Sequence, residues 1–312
     1  MTTLEFRIPI SPSAGFFSSV RLIAVSLAQM GPPYSLARIL VSVGDCADIS
    51  QVRRENPWAD DYPMEWRIVP HDMFEAAQYF ATGRDRYLEN ARADVVVMCD
   101  ADTCPVDRFD MLLQMLCGEE PKIAGLQAHY APFPGSAAEN EATWRKLLTS
   151  ASLSYHEPLT RRYSMDPDVG MGWAPPYFNY GFVAFNRYSF ERIAPIVHKY
   201  TLHALGFLDE AFFAAQVGLT LAIAGAQIPT LPLDHAYNCA NDERVFSTGL
   251  RSEEDIKIIH YLRPDEFDRR TFLSDPAEFE AFLNTPKRNR VNERLRQHVL
   301  KLHDRFVGRS FA

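Results

Sequence analysis

What the 312-residue chain does not contain excludes most protein classes before any motif is considered. No run reaches the ~18 consecutive apolar residues that a membrane-spanning helix requires. The segment Met1–Ser11 places Glu5 and Arg7 where a secretory leader needs an unbroken apolar stretch, so the chain is expected to be cytoplasmic. The five cysteines, at positions 46, 99, 104, 117 and 239, are odd in number and form no C-x-x-C pair. Neither a disulfide framework nor a zinc ribbon is indicated, and the reading is free thiols in a reducing compartment. No G-x-G-x-x-G follows the first strand-like segment, which argues against a Rossmann dehydrogenase, and no G-x-x-x-x-G-K-[ST] is present for a P-loop NTPase. A G-x-S-x-G nucleophile elbow is absent too, and Cys99 and Cys104 sit among acids, which blunt a thiol. Basic charge is short: Lys+Arg total 32 against 40 Asp+Glu, a net charge of −8, which excludes wrapping of nucleic acid.

What remains is ordinary globular composition, 47% hydrophobic, with length for about two domains at ~150 residues each. The charge is uneven. Residues 286–312 hold eight Lys/Arg and two Asp/Glu, net +6, so the preceding residues carry −8 − 6 = −14.

Strand-like and helical stretches alternate through the first hundred residues. Leu4–Ile10, Ala37–Val43 and Glu65–Val69 read as strands; Phe16–Met30, Ile49–Glu55 and Phe74–Ala91, broken at Gly83, read as helices. Asp94–Cys99 is solidly apolar after its first residue, as suits a central parallel strand covered on both faces. The pattern predicts right-handed βαβ units and an open α/β sheet. Further on, Lys122–Gln127, Gly181–Asn186 and Asp255–Tyr261 read as strands. Phe109–Cys117, Glu139–Leu153, Tyr188–Leu205 and Asp209–Ala224 read as helices. Between them, His156–Tyr180 is rich in Pro, Gly, Arg and aromatics and reads as a long functional or mobile loop, with Trp173, Tyr177, Phe178 and Tyr180 as either core packing or, favoured by the Pro/Gly density, a lid over a ligand. At the end, Val291, Leu295, Val299, Leu302 and Phe306 form the apolar stripe of an amphipathic helix with a basic polar face.

The sharpest chemical feature is Asp100-Ala101-Asp102, directly after the apolar strand. Open α/β sheets bind ligands at the carboxyl ends of their strands. If the backbone stays extended, both carboxylates project to one side, where they can hold a hard divalent cation that bridges a diphosphate. The bland alternative is a pair of solvated or helix-capping aspartates. His260 ends the apolar strand Ile256–Tyr261 and suits Mn²⁺ beside carboxylates; His235 is the rival ligand. Arg84 and Arg86 precede Asp100 and, as a charge run, read by themselves as a solvated helix face. Ser11 and Asp45 follow the first two strands, where a nucleoside would sit.

Val95–Asp102 (VVVMCDAD) resembles the D-x-D strand of GT-A fold glycosyltransferases, which use nucleotide-sugar donors. Three later segments resemble the family 8 retaining enzymes, the glycogenin and lipopolysaccharide galactosyltransferase group. They are Tyr177–Phe185 (YFNYGFVAF), Leu208-Asp209-Glu210 followed by Leu231–Asn238 (LPLDHAYN), and Ile258–Tyr261 (IIHY). Two departures stand out: the family's Asp-Gln is Asp209-Glu210 here, and its lysine after the histidine is missing, with Arg263 as the nearest positive charge.

The resemblance implies a GT-A-type, mostly parallel sheet flanked by helices, with one catalytic domain over residues 1–285. Residues 1–105 are its nucleotide-binding half, 106–285 its acceptor half, and 286–312 a basic amphipathic C-terminal helix. It implies Mn²⁺ or Mg²⁺ on Asp100, Asp102 and His260, and a UDP-sugar donor held by Ser11, Asp45, Arg84, Arg86 and Arg263. Asn179, Gly181, Asp209 and Glu210 would surround the transferred sugar, with the last two as candidate catalytic groups and the glycine allowing close approach. The acceptor would be a glycan, a lipid-linked molecule or a protein. The basic tail would touch an anionic membrane or dock on the acidic body. Two rivals are a haloacid-dehalogenase-type phosphohydrolase, which wants D-x-D-x-[TV], and a non-catalytic nucleotide- or carbohydrate-binding protein on the same fold.

Overall fold

The central strand of the sheet is the apolar run. The protein is described by a computed structural model over residues 2–46, 48–77, 83–153, 161–165, 170 and 172–307. Strands β1 (Leu4–Ile10), β2 (Arg38–Val43), β3 (Met64–Ile68) and β4 (Val95–Cys99) pair in parallel in the order β3-β2-β1-β4. Helices α1 (Ala14–Gln29), α2 (Ile49–Glu55) and α3 (His71–Ala77) lie between them along the chain. Beyond β4 come β7 (Phe178–Asn186), β6 (Ile123–Gln127) and β8 (Thr230–Leu233), completing a seven-stranded sheet that is parallel except at β7.

Every residue of β4 is buried, which explains why the run shows no polar alternation. Val95, Val97 and Cys99 join a core with α1 on one face. Val96 and Met98 join another on the opposite face, with Phe190, Ile193 and Val197 of α6 (Arg187–Leu205) and Leu219, Ala222 and Ile223 of α7 (Ala214–Ala226). Helices α4 (Asp110–Leu116) and α5 (Ala137–Ser150) flank β6 in the chain.

A second sheet of three short strands was not legible beforehand, apart from its middle member. Its order is β5 (Thr103–Pro105), β10 (Ile258–His260), β9 (Cys239–Ala240). Strands of two or three residues carry no readable period. Helices α8 (Pro276–Asn284) and α9 (Arg290–Val307) close the described chain.

Two expectations are corrected. Strand β7 begins at Phe178 rather than Gly181, because Gln127 pairs with Phe178 across an irregularity and the Ala128 amide donates to the Tyr177 carbonyl at 2.7 Å. Tyr177, Phe178 and Tyr180 are therefore buried core residues, with Tyr177 packed on Trp144, and only Trp173 of the four aromatics is exposed. They form no lid. Of the long loop, residues 156–160, 166–169 and 171 lie outside the described residues.

The apolar stripe of α9 is committed to the body. Val291, Leu295, Val299, Leu302 and Phe306 are buried with Leu22 and Val25 of α1 and Phe279, Phe282 and Leu283 of α8. Arg288, Arg290, Lys301 and Arg305 remain exposed.

Candidate functional site

A cavity of about 2150 Å³ opens at the carboxyl ends of β1 and β4 and extends along α6. Ser11, Arg84, Arg86, Asp100, Asp102 and His260 line it, together with Arg269 and Gln216, which the sequence reading did not single out.

The two aspartates reach the cavity by a route other than the expected one. The chain turns at Ala101-Asp102 instead of continuing extended, then enters β5. Strand β5 runs antiparallel to β10, placing Thr103 opposite His260, and the Tyr261 amide donates to the Asp102 carbonyl at 3.0 Å. The small sheet thus brings His260 to the acidic turn across the sequence. One potential ligand atom from each of Asp100, Asp102 and His260 lies within 4.8 Å of the others.

Hydrogen bonding fixes which imidazole nitrogen faces the carboxylates. The Asn238 amide nitrogen donates to Asn179, to its carbonyl at 3.2 Å and its Oδ1 at 3.1 Å. That leaves Asn238 Oδ1 as the atom 3.0 Å from His260 Nδ1, and an amide oxygen only accepts. Nδ1 therefore carries a proton. Nε2 is buried without a hydrogen-bond partner among the described residues and stands 3.3 Å from Asp102 Oδ1. A neutral imidazole lone pair and a carboxylate oxygen this close repel unless a cation, a proton or a metal ion, is shared between them. The donor set of two carboxylate oxygens and an imidazole nitrogen, braced from behind by an amide, fits Mn²⁺ or Mg²⁺.

The carboxylates differ in character. Burial, and then the charge of Asp102, pushes the Asp100 carboxyl above its ordinary range, against the pull of Arg86. Burial also works to raise Asp102, but His260 and Arg269 together hold it below its ordinary range. Burial drives the Cys99 thiol up to about 12, so it is inert beside the site.

The other expected residues divide into those at the cavity and those away from it. Arg86 is buried, its guanidinium carbon 4.9 Å from the Tyr180 ring centroid, with Nε and Nη1 lacking hydrogen-bond partners among the described residues. Arg84 is exposed at the rim. Asn179 and Gly181 brace His260: Asn179 Oδ1 accepts from the Gly181 amide at 2.8 Å and from Asn238.

Like Asn179 and Gly181, four further expected residues lie outside the cavity lining, and these stand away from His260 as well. Arg263 turns to Asp242 at 3.2 Å, and the guanidinium that does reach the acidic turn is that of Arg269, 2.5 Å from Asp102 Oδ2. Asp45 pairs with His71 at 2.8 Å. Asp209 and Glu210 are exposed ahead of a 3₁₀ turn, Ala211–Phe213, which delays the start of α7 to Ala214. That turn gives the cavity Phe212 and, one turn on, Gln216, whose buried Oε1 lacks a partner among the described residues. His235, the rival ligand, is occupied by the Ser164 carbonyl at 3.0 Å and the Thr248 hydroxyl at 2.8 Å.

A seven-stranded sheet, parallel but for one inserted strand and flanked by helices, is the architecture of the GT-A glycosyltransferases. No family profile matches the sequence, and no curated protein matches it. Among solved structures, the chain is similar to the galactosyltransferase LgtC in complex with donor and acceptor sugar analogs. The TM-score is 0.54 at 13% identity, over 91% of this chain and 98% of that one. An active-site mutant of LgtC aligns with a TM-score of 0.53 at 12% identity, over 83% of this chain and 88% of the other. The chain has the GT-A fold.

Proposed function

We propose that the protein is a metal-dependent glycosyltransferase that moves a sugar from a nucleoside-diphosphate donor, a UDP-sugar, to a glycan, lipid-linked or protein acceptor. The observation that carries this reading is the convergence of Asp100, Asp102 and the His260 lone pair at the carboxyl end of β4 on a GT-A fold. These three residues would hold Mn²⁺ or Mg²⁺. When bound, the ion supplies positive charge against the departing diphosphate.

The chain's own groups do the rest. Arg86, whose Nε and Nη1 lack partners among the described residues, would donate to oxygens of the donor, with its guanidinium over the Tyr180 ring. Gln216 Oε1 accepts from a hydroxyl of the transferred sugar. Ser11 lines the nucleoside end. Asp209 and Glu210, exposed and outside the lining, are given no catalytic part in this reading. Among the described residues no helix is long and apolar enough to cross a membrane. Because the apolar stripe of α9 is buried, contact with an anionic membrane would use its exposed basic side chains alone, and would be dispersed by salt.

The test is a thermal-shift panel of UDP, GDP, CMP and dTDP with and without Mn²⁺, on the wild type and Asp102→Asn. A ligand at ~100 times its Kd adds about 2.7 kcal/mol to the folded state. A Mn²⁺-dependent rise with UDP that Asp102→Asn abolishes is the expected result. A rise that survives Asp102→Asn overturns the ligand assignment, and no rise with any nucleotide overturns the activity.

A further inference from the structure

Arg269 occupies a position that the proposed metal role of Asp102 makes paradoxical. Its Nη1 lies 2.5 Å from Asp102 Oδ2, while the other carboxylate oxygen faces His260 Nε2 at 3.3 Å. One oxygen of the would-be ligand is thus held by a cation of the chain itself, beside the oxygen that faces the imidazole. A guanidinium does not lose its proton in a protein, so it cannot yield to a divalent ion by becoming neutral. It can only move.

The structure around Arg269 separates a fixed backbone from a side chain with room to swing. Arg269 and Arg270 form a turn held by Asp268, whose carbonyl accepts from the Thr271 and Phe272 amides at 3.2 and 2.9 Å. Phe272 beneath it is buried. The turn is seated on the start of α1, where a Cβ added to Gly15 would lie 1.9 Å from the Arg270 carbonyl oxygen. The Arg269 side chain, by contrast, is 34% exposed and lines the cavity.

We propose that Arg269 is a resident counter-cation of the acidic turn. A divalent ion that takes both oxygens of Asp102 displaces it, and it then pairs with the diphosphate that arrives with that ion. The inference rests on the metal-site reading above. Its chemical logic is charge exchange. Without ligand, the guanidinium offsets the carboxylate. With ion and diphosphate present, the ion takes the carboxylate, and the diphosphate oxygens offer the guanidinium a new charge-assisted partner. Metal and nucleotide therefore assist each other's binding, and by linkage the assistance is equal in both directions. The arrangement disfavours metal alone and so keeps the site from filling without donor.

The test measures Mn²⁺ binding directly, by the loss of the free-ion electron paramagnetic resonance signal, on the full chain with and without UDP. Wild type, Arg269→Met and Arg269→Lys are compared. Arg269→Met removes the competitor and should bind Mn²⁺ alone about tenfold more tightly than wild type, the scale of one lost charge-assisted contact. UDP should tighten Mn²⁺ less in that variant than in wild type, and Arg269→Lys, which keeps the charge, should behave as wild type. If Arg269→Met binds Mn²⁺ alone no more tightly than wild type, while UDP still promotes uptake in both, the exchange is overturned and the metal site stands. If Arg269→Met does not fold, Arg269→Lys and wild type still decide: a wild type that binds Mn²⁺ equally well with and without UDP overturns the exchange. Failure of every protein to bind Mn²⁺, with or without UDP, takes the metal site and the exchange down together.

Discussion

Gly181 and His260 compete for one space: a Cβ on Gly181 would lie 2.0 Å from His260 Nδ1 and 2.5 Å from Asn238 Oδ1. The β4–β7 register, with Cys99 opposite Phe182, carries Gly181 to the end of the sheet beside Asp100. The missing side chain is what lets the imidazole lie against the strand and aim Nε2 at the acidic turn. It gives room to a neighbouring ring.

Gly181→Ala should therefore disarm the site while sparing the fold. Overpacking of this kind typically costs about 1–3 kcal/mol, which the chain relieves by pushing His260 and Asn238 outward. Losing the orientation of a ligand's ring typically weakens metal binding about 10–100-fold. The measurement is a Mn²⁺ titration beside a urea unfolding curve. A variant whose metal affinity matches wild type would show that His260 is not held by this contact.

A buried charge network holds the segment that carries Arg86. Arg7, in β1, donates to the carbonyls of Arg86 at 2.6 Å, Glu89 at 2.7 Å and Asn90 at 3.0 Å, and pairs with Glu5 at 2.5 Å. Arg7 and Glu5 are both fully buried. Arg7→Met leaves Glu5 to Arg38 and the Arg92 amide and leaves three carbonyls without that donor. Breaking such a pair by removing one partner typically costs about 3–5 kcal/mol. We expect a loss of that size in urea, together with weaker UDP binding because Arg86 is no longer fixed. A stability loss without any change in UDP binding would separate the network from the site.

How much of this was legible depended on range. The apolar run before Asp100, the apolar segment that contains His260 and the amphipathic stripe of α9 are local patterns, and each is an element of the fold, although β10 is shorter than the expected strand Asp255–Tyr261. The acidic pair was legible by position, although its turn was not, because the reversal at Ala101-Asp102 is imposed by the pairing of β5 with β10. Arg269 was invisible: it sits in the mixed-charge stretch Asp265–Arg270, without period, and its importance comes from a partner far away in the chain. The Asn179–Asn238–His260 relay is likewise built from three separate segments. The helix expected from Asp209 starts only at Ala214, because helical periodicity does not register a 3₁₀ turn inserted before α7.

Two buried histidines give the fold a pH limit above the range where carboxylates titrate. Burial, and then the charge of His260, lowers His129 to about 3. Burial, and then Arg294 and Lys301, lowers His298 to about 4, and His298 Nε2 pairs with the Ser26 hydroxyl at 2.9 Å between α9 and α1. Both folded values lie below the ordinary histidine value near 6.5, so the folded state holds these rings neutral while the unfolded chain protonates them first. Their contribution is complete above pH ~6.5 and is lost as pH falls toward the folded values. Between pH 7 and 5 each histidine should remove about 2 kcal/mol of stability. Urea unfolding at the two pH values checks this, and His298→Gln should reduce the pH-dependent loss by about 2 kcal/mol while keeping a hydrogen-bonding group toward Ser26. An unchanged loss in His298→Gln would mean that His298 is already protonated in the fold, or that α9 undocks before it titrates; a salt-independent far-ultraviolet circular dichroism signal at pH 5 excludes the second.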